Sequence, residues 1–301
     1  MPELPEVETI ARGLARRVTG DVIESVWLGQ KKEPLKSPAT EIAAVLEHSQ
    51  ISSVRRMGKH IVFDLARASN GNAHRRPRRK STIASDKPST VADRSVRSTQ
   101  ETTSQWIVHL GMTGRLQVCE PGAEIAKHTH AILKLHSGRE LRFVDPRRFG
   151  RLSVAADGNF DAVGVEPLDV DLERFVSLFR GRNTPIKSAL LNQKLLRGVG
   201  NIYADESLFR AAIRPRKKAA SITRERLGKL FVAVKEVLKE AIKLGGSSIS
   251  DYVDADGEEG FFQLKHRVYG REGEPCLACK SPIKRVVIAG RSSHFCPKCQ
   301  K

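Results

Sequence analysis

Residues 188–212 read SALLNQKLLRGVGNIYADESLFRAA, two apolar-periodic segments on either side of Arg197-Gly198-Val199-Gly200-Asn201. The periodicity predicts helices over 188–196 and 202–212 with a tight turn between them. Two glycines in so short a turn let another group come close to its backbone. The unpaired N–H groups that open the second helix make a ready anion site, so this motif is expected to receive a phosphate. Downstream, Leu227, Leu230, Phe231, Val234, Val237, Leu238, Ala241 and Ile242 recur on one face of a helix predicted over 223–245, with Thr223 as N-cap and Gly245 ending it. From about Leu168 the chain is therefore expected to be helical.

Upstream the pattern changes. Val7, Ile10, Ala11 and Leu14 share one helical face, Pro5 suits a first helical position, and Glu6 and Glu8 suit the first turn, which predicts an N-terminal helix with Pro2 and Glu3 just before it. Short apolar or alternating runs then predict strands over 22–28, 51–55, 60–65, 106–110, 130–136 and 140–144, a density that implies a β-sandwich or flattened barrel. Residues 66–105 interrupt this series with twelve Ser or Thr, no aromatic residue and the run RRPRRK at 75–80. Such a segment cannot bury enough apolar surface to fold, and it is expected to be a disordered basic insertion at a hairpin tip. Added DNA affinity, a targeting signal and no role at all are equally open for it.

Four of the five cysteines lie at the C-terminal end, as Cys276 and Cys279, then sixteen residues, then Cys296 and Cys299. This is the spacing of a zinc ribbon, in which two tight turns aim four thiolates at one ion and the intervening residues form a β-hairpin. Four thiolates leave no open coordination position, so one Zn2+ is expected in a structural role. Cys119 stands alone in a strand-like segment. The organisation that follows is α+β: a β-sandwich with a flanking helix over 1–164, a helical domain over 165–265 and a zinc-ribbon hairpin over 266–301.

Charge narrows the partner. The 301 residues hold 52 Lys and Arg against 34 acids, a net +18, which draws the chain to polyanions through counterion release. Residues 66–105 account for +6 of it and the remainder is itself basic at +12. No apolar run approaches the roughly 18 residues of a membrane span. Glu3, Glu6, Glu8, Arg12, Arg16 and Arg17 exclude a signal-peptide core, so a cytoplasmic, nucleoid-associated protein is expected. The chain opens Met1-Pro2-Glu3, and removal of Met1 would expose the secondary amine of Pro2. An α-amino group titrates near pH ~8, so much of it is free to attack at neutral pH. After adding to an aldehyde-level carbon, a secondary amine can only become a charged iminium, which acidifies the neighbouring carbon.

Seven stretches in order, PELPEVET at 2–9, RRMGKH at 55–60, HLGMTG at 109–114, DPRRFG at 145–150, GVGNIYADE at 198–206, VYGREGEPC at 268–276 and AGRSSHFCPKCQ at 289–300, closely resemble the bacterial formamidopyrimidine-DNA glycosylase family. This is the oxidised-purine branch of the glycosylases that carry a helix–two-turn–helix domain, and the match omits only residues 66–105. The resemblance implies a bifunctional glycosylase and abasic-site lyase in base excision repair. Pro2 would attack C1′ of the damaged nucleotide, Glu3 would move protons at the opening sugar, and Lys59 would contact phosphate beside the lesion and assist catalysis. His109, Asn201 and Arg291 would grip the same phosphates. Met112, Arg147 and Phe149 would fill the gap left by the everted nucleotide, which predicts that Met112 and Phe149 sit exposed at loop tips. Glu6 and Lys187 match positions near the lesion base, and the loop 246–263 matches the segment that covers it.

The implied substrate is double-stranded DNA with oxidised bases, 8-oxoguanine and formamidopyrimidines, bound by a monomer. The PELPEV opening favours this branch over the oxidised-pyrimidine branch, which typically begins PEGPE. A non-catalytic zinc-ribbon DNA-binding protein would account for the charge and cysteines but not for Pro2, Glu3 and Lys59 together. A metal-dependent nuclease lacks a second cluster of Asp, Glu or His with suitable spacing.

Overall fold

The computed structural model describes residues 1–31, 33–67, 104–248 and 260–301. Helix α1 (Leu4–Val18) starts where the sequence places it, with Glu3 as N-cap, Pro5 in its first turn and Arg16 and Arg17 in its last. Its buried stripe, Val7, Ile10, Ala11, Leu14 and Val18, belongs to the core of the N-terminal half. Leu4 points instead into the core of the helical half, so one helix is rooted in both.

The N-terminal half is a sandwich of two four-stranded antiparallel sheets. In chain order its elements are β1 (Ile23–Leu28), α2 (Ala39–Leu46), β2 (Ser49–Met57), β3 (His60–Arg67), β4 (Ser104–His109), β5 (Arg115–Cys119), β6 (Thr129–Leu135), β7 (Glu140–Val144) and β8 (Arg151–Ala155). One sheet runs β1-β6-β7-β5 and the other β2-β3-β4-β8, and Trp106, Phe63, Phe143, Leu116 and Leu152 meet in the core between them. The six predicted strands are present. The six do not include β5, marked in the sequence only by the strand-like surroundings of Cys119, or β8, and α2 was missed as well; these elements are too short for a period to emerge, and Leu152 is the one fully buried residue of β8.

The insertion boundaries at 66 and 105 need correction. Ala66 and Arg67 finish β3, while Ser104 and Gln105 begin β4 in register with Leu65 and Asp64. Ladder hydrogen bonds extend both strands past the last apolar residue, and Gln105 Nε2 donates to Asp64 Oδ1 at 2.8 Å. The rest of that expectation, 68–103, lies outside the described residues.

The helical half contains α3 (Leu172–Phe179), α4 (Ile186–Leu191), α5 (Asn201–Arg210) and α6 (Arg224–Lys243). Thr223 caps α6, accepting the Arg226 N–H. Helix α4 is shorter and earlier than the predicted 188–196, because Gln193 serves the turn: its Nε2 donates to Leu191 O and Val199 O, and its Oε1 accepts the Gly198 N–H at 2.9 Å. A two-stranded hairpin, β9 (Lys284–Ile288) and β10 (Arg291–Phe295), forms the C-terminal ribbon. It packs on Phe209 at the end of α5, and Gln300 ties it down, donating to Ile213 O while accepting the Cys296 N–H. No helix among the described residues is long and apolar enough to cross a membrane.

A buried ionic network bolts the two halves together. Arg56 of β2 pairs with Glu8 of α1 at 2.7 Å and with both oxygens of Glu166, which also accepts from Arg197. Removing one partner of such a network leaves a charge desolvated and unpaired. Glu166→Ala is therefore expected to lower the unfolding free energy by about 3 kcal/mol in urea titrations. Glu173→Ala, which breaks only an exposed pair with Arg224, should cost less than about 0.5 kcal/mol.

Candidate active site and nucleic-acid interface

The site is built around the glycine turn before α5. Leu4 N–H donates to Gly198 O at 3.0 Å. A Cβ on Gly198 would lie 2.8 Å from the Leu4 side chain, and one on Gly200 only 2.0 Å from Glu3 Cδ. The glycines do permit close approach, but the group that approaches is the chain's own N-terminus. Ile202 N–H at the start of α5 faces Glu3 Oε1 at 3.4 Å. One of the N–H groups at this helix start is thus taken by an internal carboxylate, for the same electrostatic reason that would draw a phosphate to the others.

Glu3 is buried, and its other oxygen, Oε2, has no hydrogen-bond partner among the described residues. Burial pushes its pKa up to about 7, with the neighbouring Glu6 adding to the shift and Lys59 opposing it. Glu3 is thus a carboxyl poised to gain or lose a proton at neutral pH, next in the chain to the half-buried Pro2. Glu6 is held by donors from three elements: Glu3 N–H on Oε2 at 2.8 Å, and the Tyr203 hydroxyl and Ser247 N–H on Oε1. Burial raises its pKa as well. In the free protein Glu6 is a buried strut that joins α1, α5 and the segment after α6.

Lys59 sits in the two-residue turn that joins β2 and β3, where Met57 pairs with His60. It is largely buried, and desolvation lowers its pKa, with Glu3 and Glu6 holding its charge and Arg291 opposing it. His109 ends β4 opposite His60. Its Nδ1 accepts the Gly111 N–H at 3.1 Å, which leaves the ring proton of the neutral form on Nε2. Burial, together with His60, Lys59 and Arg151, brings its pKa down to about 4, so the ring is neutral at pH 7.

The three predicted gap-filling residues lie on two neighbouring loops. Met112 is 43% exposed and Phe149 50% exposed, as expected for wedges and not for core residues. The Arg147 guanidinium stacks over the Phe149 ring at 4.8 Å. Asp145 escaped the sequence reading although it lies inside DPRRFG. It is fully buried and accepts the Thr113 hydroxyl at 2.6 Å, the Arg147 N–H and the Gly150 N–H, so one carboxylate shapes both loops.

Arg291 is exposed at the first position after the β9–β10 turn, opposite Ile288. Asn201 Nδ2 reaches Ser292 Oγ at 3.3 Å, and Tyr269 hydrogen-bonds the Asn201 side chain. Glu206, also unread, is buried in α5 and accepts the N–H groups of Arg267, Val268 and Tyr269. Lys187 is 1% exposed, its ammonium paired with Asp205 at 2.7 Å and donating to Ser292 O. This pairing within the fold is invisible in a sequence. Of the loop 246–263, residues 249–259 lie outside the described residues.

The cysteine donors Cys276, Cys279, Cys296 and Cys299 lie within 4.8 Å of one another. The Cys276–Cys299 and Cys279–Cys296 sulfurs are 3.9 and 3.4 Å apart. A tetrahedral ion with Zn–S bonds of ~2.3 Å needs sulfur edges of about 3.8 Å. The residues fit a single structural zinc ion, which the ribbon holds.

A glycine-turn helix pair on a β-sandwich, with a basic surface and a zinc ribbon, defines the architecture of a DNA glycosylase. Three family models match in order: "Formamidopyrimidine-DNA glycosylase N-terminal domain" over residues 1–152, "Formamidopyrimidine-DNA glycosylase H2TH domain" over 163–253, and "Zinc finger found in FPG and IleRS" over 273–301. The formamidopyrimidine-DNA glycosylase of Solibacter usitatus is 43% identical over 307 residues, with both chains covered completely. That of Gluconobacter oxydans is 39% identical over 313 residues, again with full coverage. Among solved structures, MutM (Fpg) of Thermus thermophilus superposes with a TM-score of 0.78 at 38% identity, covering 99% of this chain and 98% of that one. A Lactococcus lactis Fpg variant in complex with Fapy-dG DNA gives 0.81 at 30% identity, with both chains fully covered. The chain belongs to the formamidopyrimidine-DNA glycosylase family, and as such it is a DNA-binding repair glycosylase with a zinc finger.

Because Arg291 and the Asn201 contact both depend on the ribbon, stripping the metal with a chelator is expected to melt residues 273–301 locally and weaken DNA binding at least tenfold. Fluorescence anisotropy with a labelled duplex, read beside far-UV circular dichroism, checks this: binding falls while the sandwich signal persists.

Proposed function

We propose that this chain excises oxidised purines, 8-oxoguanine and formamidopyrimidines, from double-stranded DNA and then cuts the strand at the resulting sugar, acting as a monomer in base excision repair in the nucleoid. The observation that carries the reading is Glu3, a buried carboxyl pushed up to about 7, beside the residue whose amine would be the nucleophile. Pro2 nitrogen, freed by removal of Met1, bonds to C1′ as the C1′–N9 bond breaks, and the proton it sheds on the way to the iminium leaves with the base. Glu3 supplies the proton that the ring oxygen needs as the C1′–O4′ bond opens, and the product is an iminium. That cation acidifies C2′; loss of a C2′ proton expels the 3′ phosphate, and a second elimination expels the 5′ phosphate. Lys59, His109, Asn201 and Arg291 hold the phosphates that flank the sugar. Met112, Arg147 and Phe149 occupy the stack that the target vacates, with Arg147 donating to the orphaned base. Glu6 supports the Glu3 backbone and, through Ser247, the start of the loop over the base.

The family relatives bound to Fapy-dG DNA and to DNA containing carbocyclic 8-oxo-G support the substrate class. Incubation with an 8-oxoguanine duplex and borohydride tests the chemistry. A covalent protein–DNA adduct is expected for protein lacking Met1 and none for Pro2→Gly; no adduct with either, and no nicking, would refute the reading. Repeating the assay with oxidised pyrimidines tests the branch.

Glu3 also sets a pH dependence. Its folded pKa, about 7, lies above the ordinary value of 4.5. The proton and the stability that it confers are therefore complete below about 4.5 and lost as pH rises through 7. Base excision at saturating DNA should fall on the alkaline side with a midpoint near 7. In Glu3→Gln the rate should drop by about 10²-fold or more and the residual activity should lack that limb. His109 gives a different signature. As a neutral donor it releases no counterion, so His109→Ala should weaken DNA binding about tenfold with an unchanged salt slope.

A further inference from the structure

Lys187 of α4 and Asp205 of α5 form an ion pair sealed from solvent, with Nζ and Oδ1 2.7 Å apart. Both reach the same strand of the ribbon. Lys187 Nζ donates to Ser292 O at 2.6 Å, and Asp205 Oδ2 accepts the His294 backbone N–H at 2.9 Å. Among the described residues strand β10 pairs only with β9, and its other edge has no neighbouring strand. Residues two apart on a strand turn their peptide groups to the same side, so Ser292 and His294 present a carbonyl and an N–H along that open edge. The ammonium offers the donor and the carboxylate the acceptor that a third strand would have supplied. The residue immediately before the clamped pair is Arg291.

We propose that Lys187 and Asp205 are positioning residues that act through Arg291, with the ion pair standing in for a third strand and fixing the tip of the β9–β10 hairpin. Further support comes from Asn201, whose Nδ2 meets Ser292 Oγ on the same strand. Arg291 is also close enough to help lower the pKa of Lys187, after burial and against the pull of Asp205. An ion pair suits this task better than a single hydroxyl. It saturates a donor and an acceptor of the edge together, and displacing the strand would leave both charges buried without their strand partners. Lys187 thus serves the reaction without touching the lesion. The inference rests on the proposed role of Arg291 as a phosphate contact.

The test uses the full-length, zinc-loaded protein and a duplex carrying a tetrahydrofuran abasic analogue. The double variant Lys187→Met/Asp205→Asn removes both buried charges, keeps the volume and keeps an oxygen for the His294 N–H. It is expected to retain one zinc per chain, to bind DNA about tenfold more weakly, and to lose about one unit from the slope of log K against log salt, the signature of one lost phosphate contact. In an Arg291→Ala background the same double change should add nothing. A wild-type slope and affinity in the double variant, or a further loss on top of Arg291→Ala, overturns the proposal. Asp205→Asn alone, which removes only the charge that anchors Lys187, should shift the slope in the same direction by less; an unchanged slope there overturns it as well. If Arg291→Ala itself leaves slope and affinity unchanged, the failure lies with the phosphate role of Arg291, a result separable from the others.

Discussion

Two buried carboxylates at the first turn of α1, set against the first turn of α5, are the constraint on which the rest of the molecule depends. Burying them is costly, since each loses its water. Glu6 recovers the cost through the Glu3 N–H, the Tyr203 hydroxyl and the Ser247 N–H. Glu3 recovers less, because it has one long bond to Ile202 and the nearby charge of Lys59. Incomplete compensation has a consequence that the proposed mechanism uses: an under-solvated carboxyl keeps its proton to neutral pH. The same contacts pin the N-terminus to the glycine turn of the helical half, so the order of the proposed nucleophile and the joining of the two halves come from one set of bonds.

Around that centre the cations are held on rigid supports. Lys59 lies in the turn of one β-hairpin and Arg291 directly after the turn of another, the first in the sandwich and the second in the ribbon. Short hairpins fix a side chain far better than a long loop does, and phosphate contacts spaced along a DNA strand need that rigidity. Buried polar groups do the fixing: Arg56 and Glu166 across the joint, Lys187 and Asp205 beneath β10, Glu206 under residues 267–269, and Asp145 between the Met112 and Phe149 loops. In the proposed complex the exposed residues would meet DNA, with the buried acids holding them where they are.

Much of this was legible from the chain alone. The α1 face, the Thr223 cap, the six strands and the four-cysteine ribbon follow from period and spacing, because those signals are local. The exposure of Met112 and Phe149 followed from the family resemblance and not from hydrophobicity, which would have buried them. What the sequence did not reveal shares a cause. The α5 start receives Glu3 from the far end of the chain, and Lys187 pairs with an acid on another helix; no short window of sequence shows these contacts. Asp145, Asp205 and Glu206 lay inside recognised motifs, but an acid in a basic protein reads as surface until the fold shows what it holds. Strands β3 and β4 outran their apolar residues because backbone ladders need no hydrophobic pattern.

Carbon-13 NMR titration of glutamate-labelled protein, with Glu3 assigned by the Glu3→Gln variant, measures the central carboxyl directly. A side-chain carboxyl resonance that titrates near pH 7 and disappears in Glu3→Gln is the predicted result. A Glu3 resonance titrating near 4.5, like an ordinary surface glutamate, would contradict the buried proton on which the proposed chemistry depends.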